Sequence, residues 1–215
     1  LFSDMETAGV NALPIIALLA FMMGVVIAYQ GGQQLKTYGA NIFIVELVAL
    51  TMLRELAPLI TAIIVAGRTG SSYTAQIGTM QVTEQIDALE CLATDPIHYL
   101  FVPRLLASAL MLPLLVGLSI YVGYWGGYML LVGVEGQSAF VYANDFYKLL
   151  AFRDLRIALY KAFVFGLIIA LVGCWRGYRT QGGAEGVGNA PTSSVVTSSL
   201  WILIADFFLT KLLLV

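Results

Sequence analysis

Five long apolar stretches constrain this chain more than any other feature of its sequence. A helix needs about 20 mostly apolar residues to cross the roughly 30 Å hydrocarbon core of a bilayer, and each stretch reaches or approaches that length. Apolar residues make up 60% of the chain and charged residues only 11%, which is too little charge to cover a water-soluble domain. The sequence therefore predicts an all-α, polytopic membrane protein. The five predicted spans are 12–28, 42–66, a helix within 104–132, 157–175 and 195–214.

The charged and metal-binding residues exclude several classes of function. Eleven Lys and Arg residues stand against thirteen Asp and Glu residues, so the formal charge of −2 provides no basic surface for nucleic acid. The cysteines Cys91 and Cys174 and the single histidine, His98, lack metal-ligand spacing, so we expect no metal and no cofactor in this chain. No nucleophile and base can be assembled around one histidine, and no phosphate-binding G-x-x-x-x-G-K-[ST] motif is present. We expect a protein that is not an enzyme.

The connectors between the predicted spans differ in character. Residues 30–40 are typical of a short polar turn, and residues 176–194, rich in Gly, Ser and Thr, are typical of a flexible loop. Residues 136–156 mix aromatic and charged side chains, as a helix lying at the membrane interface would. Basic residues divide equally between the two sides of the predicted membrane, so charge counting gives no orientation.

The longest polar connector runs from Gly67 to Pro103. Within it, the stretch 70–92 has helical periodicity and is too polar to cross a bilayer, which predicts a helix held outside the membrane. Glu84, Asp87 and Glu90 are three residues apart and would form an acidic ridge on this helix. The apolar residues that return near the opposite face are Tyr73, Ile77, Met80, Ile86 and Leu89.

Two interpretations of this polar helix remain open from the residues alone. It can be an amphipathic helix that only caps the bundle. It can also be a docking helix that fits a groove in a soluble motor and transmits movement, since both of its ends are fixed to membrane helices.

Ionisable side chains within the predicted spans form a second candidate site. Glu46, Arg54 and Glu55 lie in the second span, Lys161 in the fourth and Asp206 in the fifth. A charge at bilayer depth costs about 2.5–3.5 kcal/mol on insertion scales, so each requires a partner or a wet cavity. They can form buried ion pairs that fix helix packing, or they can line a pathway for a polar or amphiphilic substrate.

The third span contains a glycine pair and an aromatic group. Gly123 and Gly127 are four residues apart, and this spacing of small residues predicts close helix packing within one subunit or near a dimer interface. Tyr124, Trp125 and Tyr128 are interpreted as an interfacial aromatic belt.

Several motifs resemble the MlaE family of ABC transporter permeases. Arg54–Ala107 contains GR-x-G, IGTM, EQIDAL and DP elements in the order and spacing of that family, and the likeness extends to YQGGQQL, GYWGGY and LIADFFLTKLL. Nearly the whole chain, 1–215, is therefore identified as a single MlaE-type permease domain. The form resembles the subgroup that often carries a STAS domain before the first span, so we expect the natural chain to begin earlier, with an interfacial helix or a STAS domain.

The resemblance implies a role for each of the two candidate sites. The EQIDAL segment resembles a coupling helix that sits on a cytoplasmic ATPase, which would place the 67–103 connector in the cytoplasm and the interfacial segment in the periplasm. The implied coupling residues are Gln76, Glu84, Gln85, Asp87 and Glu90, although relatives usually have Glu where Gln76 stands. The positions that match polar residues around the lipid cavity of relatives imply a lipid pathway at Glu46, Arg54, Glu55, Lys161 and Asp206.

The resemblance also implies partners and a location. It implies a homodimer in the cell inner membrane that moves glycerophospholipids to or from a periplasmic MCE-type carrier, and so maintains outer-membrane lipid asymmetry. ATP and Mg would bind the separate ATPase, and a STAS-domain protein is a further possible partner. Relatives also occur in the chloroplast inner envelope. The alternative is an ion-coupled carrier or proton channel that uses the intramembrane Glu, Lys and Asp residues as a relay, but such a carrier needs no acidic helix outside the bilayer.

Overall fold

The computed structural model describes residues 2–40, 43–149 and 152–214, and all regular structure in these ranges is helical. The prediction of an all-α fold is therefore confirmed. The α-helices are α1 (Phe2–Ala8), α2 (Leu13–Thr37), α3 (Ile44–Thr51), α4 (Ala57–Val65), α5 (Ser71–Val82), α6 (Gln85–Cys91), α7 (Val102–Gly133), α8 (Ala139–Leu149), α9 (Phe152–Tyr178) and α10 (Gly183–Leu214).

Among the described residues, five helical segments are long and apolar enough to cross a membrane, which confirms the predicted number of spans. Each is longer than its sequence-based estimate, because flanking polar residues continue the helix beyond the apolar window. The segments are Asp4–Thr37, Ile44–Val82, Ile97–Gly133, Arg153–Tyr178 and Gly183–Leu213.

The long second and third segments contain short π-helical turns that join their α-helices without a break. The turn Met52–Leu56 joins α3 to α4, the turn Ala66–Gly70 joins α4 to α5, and the turn Ile97–Phe101 leads into α7. A π-turn inserts one residue into the helical repeat and so changes which residues face the neighbouring helices. The first of these turns contains Arg54 and Glu55.

Two connectors predicted as turn or loop are helical, and those predictions are wrong. α2 continues through Gly31 and Gly32 and ends only near Gly39, where φ is +70° and the N–H groups of Gly39 and Ala40 donate to the Lys36 and Leu35 carbonyls. α10 already begins at Gly183, so most of the 176–194 segment belongs to it. Positive φ at Gly182 and Gly183 allows the sharp reversal between α9 and α10.

The described residues form two compact units. Unit I lies within residues 1–12, 62–113 and 161–215, and unit II within 13–61 and 114–160. Each unit has its own buried core.

Unit II is held together by a close helix crossing. A Cβ at Gly24 of α2 would overlap the carbonyl oxygen of Gly123 in α7, and a Cβ at Gly126 would overlap the Phe21 carbonyl. Gly127 faces Val48 and the Tyr142 hydroxyl. The glycines therefore let backbones approach within one subunit, as the spacing of Gly123 and Gly127 predicted.

An aromatic cluster joins α7 to α8 in unit II. The ring centroid of Tyr124 lies 4.5 Å from that of Phe146 and 5.2 Å from that of Tyr142, and Tyr128 lies 5.6 Å from Tyr142. The Tyr142 hydroxyl donates to the Tyr124 carbonyl at 3.1 Å, and burial raises its pKa. Tyr124 and Tyr128 are thus packing residues of unit II, whereas Trp125 is exposed. Their assignment to an interfacial aromatic belt stays a prediction.

Unit I is built around the packing of α5 against α9 and α10. The Thr74 hydroxyl lies 2.9 Å from the Gly173 carbonyl oxygen, and Gly173 packs directly on the Gly70 backbone. A second close approach places Gly166 against the Ser108 backbone of α7. Small residues at these positions bring the helices together and form the support for α6.

Candidate functional site

Helix α6 lies on the surface of unit I, fixed there by its apolar face. Ile86 is 1% exposed and belongs to a buried cluster with Ile77, Leu100 and Cys174. Leu89 packs against the same cluster. The apolar face predicted from the sequence is therefore confirmed at these positions, and it packs α6 against α5, the π-turn before α7, and α9.

Both ends of α6 are sharply defined. Glu84 adopts a left-handed conformation with φ of +58°, which separates α6 from the end of α5. After α6, Ala93 is also left-handed, and the N–H groups of Ala93 and Thr94 donate to the Glu90 and Leu89 carbonyls. These two bonds form a Schellman motif, which satisfies the last carbonyls of the helix. The polar connector is therefore not one helix over 70–92, because its first part, through Val82, extends the second span.

The predicted acidic residues remain grouped at α6, although this helix is shorter than the one predicted from the sequence. Asp87 and Glu90 lie on α6, and Glu84 immediately precedes it. All three carboxylates and the side chain of Gln85 are exposed. Leu92, at the end of α6, is 75% exposed, so the acidic surface is bordered by an apolar residue. We call the exposed side chains of Glu84, Gln85, Asp87, Glu90 and Leu92 the α6 face.

Gln76 is separate from the α6 face, because it lies on α5. Its side-chain oxygen accepts a hydrogen bond at 3.1 Å from the guanidinium of Arg104, a residue of α7 that is 7% exposed. The same guanidinium lies 5.6 Å from the ring centroid of Tyr73. Gln76 therefore ties α5 to α7 through a neutral acceptor. Sequence analysis missed Arg104, although a lone Arg at the start of an apolar helix required a partner.

The turn after α6 is held by Asp95. Its carboxylate accepts a hydrogen bond at 2.9 Å from the N–H of Ile97 and lies 2.9 Å from Nδ1 of His98. The hydrogen bond with the His98 side chain lowers the pKa of Asp95, and the Ile97 N–H contributes in the same direction. Asp95 thus caps the first turn leading to α7 and orients the chain leaving α6.

Lys161 and Asp206, predicted for the lipid pathway, are brought together in unit I. Lys161 Nζ lies 2.9 Å from Asp206 Oδ1 and 2.6 Å from the Thr210 hydroxyl. Lys161 is fully buried, and Asp206 is 9% exposed. The pair joins α9 to α10 and neutralises two charges that would otherwise be costly inside the protein.

Arg54 is paired with Asp154 in unit II, a residue that sequence analysis did not assign to the site. Arg54 Nε and Nη2 lie 3.1 and 3.3 Å from the two carboxylate oxygens, which is the geometry of a bidentate pair. Asp154 is buried in the first turn of α9, where the positive end of the helix favours a carboxylate. That helix-start position was the signal available in the sequence.

Glu46 and Glu55 complete the predicted set. Glu46 lies on α3, Glu55 in the π-turn next to Arg54, and both are half-buried. The structure thus places Glu46, Arg54 and Glu55 in unit II and the Lys161–Asp206 pair in unit I. Their role in lipid movement stays a prediction.

Known proteins resemble this chain over nearly its whole length. The family model described as Permease MlaE matches residues 1–212. A probable ABC transporter permease protein of Synechocystis sp. is 44% identical over 210 residues, which cover 98% of this chain and 80% of that protein. The chloroplastic protein TRIGALACTOSYLDIACYLGLYCEROL 1 of Arabidopsis thaliana is 40% identical over 208 residues, covering 97% of this chain and 59% of that protein. The intermembrane phospholipid transport system permease protein MlaE of Haemophilus influenzae is 36% identical over 218 residues, which cover 99% of this chain and 82% of that protein.

Proposed function

This chain belongs to the MlaE family of permeases, and from that premise we propose that it is the membrane subunit of an ATP-driven transporter of glycerophospholipids. In this proposal a separate ATPase binds the α6 face and supplies the energy. ATP and Mg bind that ATPase. The names of the relatives support the permease and phospholipid assignments.

The observation that carries the coupling role is the rigid mounting of an exposed acidic helix. α6 is joined to α5 through Thr83 and Glu84 and to the π-turn before α7 by a short capped turn. Its inner side is locked by Ile86 and Leu89. A force applied to the α6 face therefore moves the ends of two long membrane helices rather than bending a loop.

The α6 face can be tested by reversing its charge. In the variant Glu84→Lys/Asp87→Lys, two carboxylates become ammonium groups on an exposed surface, so the fold should remain intact. We expect the purified variant to lose its ATPase subunit, with association weakened at least about 100-fold, because opposed charges at an interface become like charges. The measurement is co-purification of the ATPase, with retention on gel filtration to check folding.

A matched control is Asp145→Lys on α8, outside the cluster that holds α6. This variant should retain the ATPase. If the α6 variant also keeps the ATPase at wild-type stoichiometry, the coupling role is wrong.

We propose that the charged residues of the spans contact the lipid during its passage. Glu46, Arg54, Glu55, Lys161 and Asp206 supply polar groups for a headgroup, and the apolar side chains around them supply walls for acyl chains. The buried or half-buried positions of these charges support the proposal, since charge inside a transporter commonly faces its interior.

The lipid proposal predicts that phospholipid accompanies the purified protein. Arg54→Gln removes a cation while keeping a polar side chain, so we expect it to lower the co-extracted phospholipid severalfold. Arg54→Lys keeps the positive charge and should retain most of the co-extracted phospholipid. Mass spectrometry of extracted lipid gives the readout, and an unrelated membrane protein in the same detergent gives the background. Lipid at background level in the wild type would refute the proposal.

We further propose that two copies of the chain form the permease in a cell inner membrane and exchange lipid with a periplasmic MCE-type carrier. A STAS-domain protein is a possible additional partner, and maintenance of outer-membrane lipid asymmetry is the proposed outcome. The word "intermembrane" in the name of the Haemophilus relative supports this location, whereas the word "chloroplastic" in the name of the Arabidopsis relative supports a chloroplast location as the second possibility.

A further inference from the structure

A groove of about 560 Å³ between α9 and α10 of unit I contains positive charges outside the predicted lipid pathway. It begins at the turn where α9 ends and α10 starts. Tyr178, at the end of α9, packs against the cluster around Ile86, so the groove opens at the end of unit I that carries α6. Both helices are long enough to cross a membrane, and their ends therefore lie near the level of lipid headgroups.

The end of the groove near the turn is cationic. The guanidinium of Arg176 donates a 2.9 Å hydrogen bond across the groove to the Thr197 hydroxyl, and that of Arg179 lies 4.7 Å from the ring centroid of Trp175. These contacts position both side chains without neutralising them. In the part of the chain that the structure describes, neither arginine forms an ion pair. Glu185, in the first turn of α10, does not line the groove.

The groove becomes apolar away from the turn. Leu171 lies on α9, eight residues before Arg179, which directly follows the helix; this separation is about 12 Å along the helix axis. On α10, Trp201 follows Thr197 by one helical turn. Leu171 and Trp201 are 58% and 54% exposed, so they offer a surface to an apolar ligand. The groove thus has a charged end at headgroup level and an apolar end deeper along the spans.

From this arrangement we infer that the groove binds a phospholipid with a net negative headgroup. The phosphate lies between Arg176 and Arg179, and an acyl chain follows the surface formed by Leu171 and Trp201. A free phosphate ion would use only the cationic end and leave the apolar end unexplained. The inference requires that the chain spans a membrane, but it does not require that the chain transports lipid.

Binding can be measured by native mass spectrometry on the full chain in detergent. The probes are phosphatidylglycerol, zwitterionic phosphatidylcholine and glycerol 3-phosphate, which carries a phosphate but no acyl chain. We expect phosphatidylglycerol to bind more tightly than phosphatidylcholine. Arg176→Gln/Arg179→Gln should weaken its binding about 25-fold, since each cation near a membrane surface contributes about fivefold. Arg179→Gln alone should cause about a fivefold loss.

Two controls keep the result specific. Arg153→Gln removes an exposed cation at the opposite end of α9 and should leave phosphatidylglycerol binding unchanged. Arg176→Lys/Arg179→Lys keeps both charges and should retain most of the binding, which separates loss of charge from misfolding. The readout here is the difference between the wild type and the Arg176 and Arg179 variants, so a failure of the lipid-pathway proposal would be distinguishable from a failure here.

Two outcomes would overturn the inference. Equal binding of phosphatidylglycerol and phosphatidylcholine, unchanged in the double Gln variant, would show that the arginines do not select the headgroup. Displacement of phosphatidylglycerol by an equal concentration of glycerol 3-phosphate would show a phosphate site with no contribution from the apolar end.

Discussion

Lys161→Met is expected to lower the free energy of unfolding by about 3–5 kcal/mol. The substitution removes the ammonium group that lies 2.9 Å from the carboxylate of Asp206 and leaves that carboxylate inside unit I, where it is 9% exposed. A buried charge that loses its counterion costs far more than the net stabilisation from the intact pair. Thermal unfolding of the purified protein in detergent should show a fall in Tm of roughly 10 °C.

Two comparisons separate this effect from a general sensitivity to lost charge. Lys148→Met breaks an exposed pair with Asp145, in which the N–O distance is 3.7 Å, and should cost at most about 1 kcal/mol. Lys161→Met/Asp206→Leu removes both buried charges and should recover most of the lost stability, because an apolar pair of similar volume can replace a buried ion pair. An equal loss of stability in the single and double variants would contradict the pairing argument.

The double variant also distinguishes the two roles considered for this pair. If it regains stability and still carries co-extracted phospholipid, the pair serves only to fix α9 against α10. If it regains stability but loses the lipid, the pair belongs to the lipid pathway.

Gly24→Ala is expected to destabilise the protein by about 1–3 kcal/mol, although alanine has the higher helix propensity. The added Cβ would overlap the carbonyl oxygen of Gly123, and backbone atoms cannot rotate away as a flexible side chain can. α2 and α7 must therefore separate, which removes packing along their crossing in unit II. The expected readouts are a lower Tm in detergent and a lower yield of folded protein in membranes.

A Gly→Ala substitution at a position with free space should have the opposite effect on stability. At Gly117 of α7 no heavy atom lies within 4 Å of the position of a Cβ, so Gly117→Ala gains helix propensity without a clash. It should stabilise the protein by up to about 1 kcal/mol. If Gly24→Ala is as stable as Gly117→Ala, the two helices do not cross as closely as the structure shows.

The sequence predicted the number of spans well but located several of their ends poorly. Apolar windows are a sufficient signal for a membrane helix, because each must reach across the hydrocarbon. The polar residues that extend these helices beyond the apolar windows have no comparable signal in the sequence. Gly31 and Gly32 were predicted to form a turn, yet α2 passes through them and ends at Thr37, and the chain then turns at Gly39, which has a positive φ. The stretch 70–92 was predicted as one helix held outside the membrane, yet its first part belongs to α5, which continues the second span and packs against α10.

In the candidate sites, too, the sequence identified some features and not others. Glu84, Asp87 and Glu90 could be selected from their spacing, because an acidic stretch between apolar segments must remain in water. Charges inside the spans could also be selected, because each requires compensation there. The partners of these charges could not be predicted from the sequence, since Asp154 lies 100 residues from Arg54 and Asp206 lies 45 residues beyond Lys161.

By itself, the sequence determined that this protein is a bundle of five membrane helices with an exposed acidic segment, and its motifs identified the MlaE family. These properties follow from local composition and spacing, which set the cost of placing each segment in oil or water. Only the tertiary structure decided that Lys161 pairs with Asp206, that Gly24 meets Gly123, and that Arg176 and Arg179 share a groove with Trp201. Each of these contacts joins residues on different helices, and their approach depends on how the helices of each unit pack.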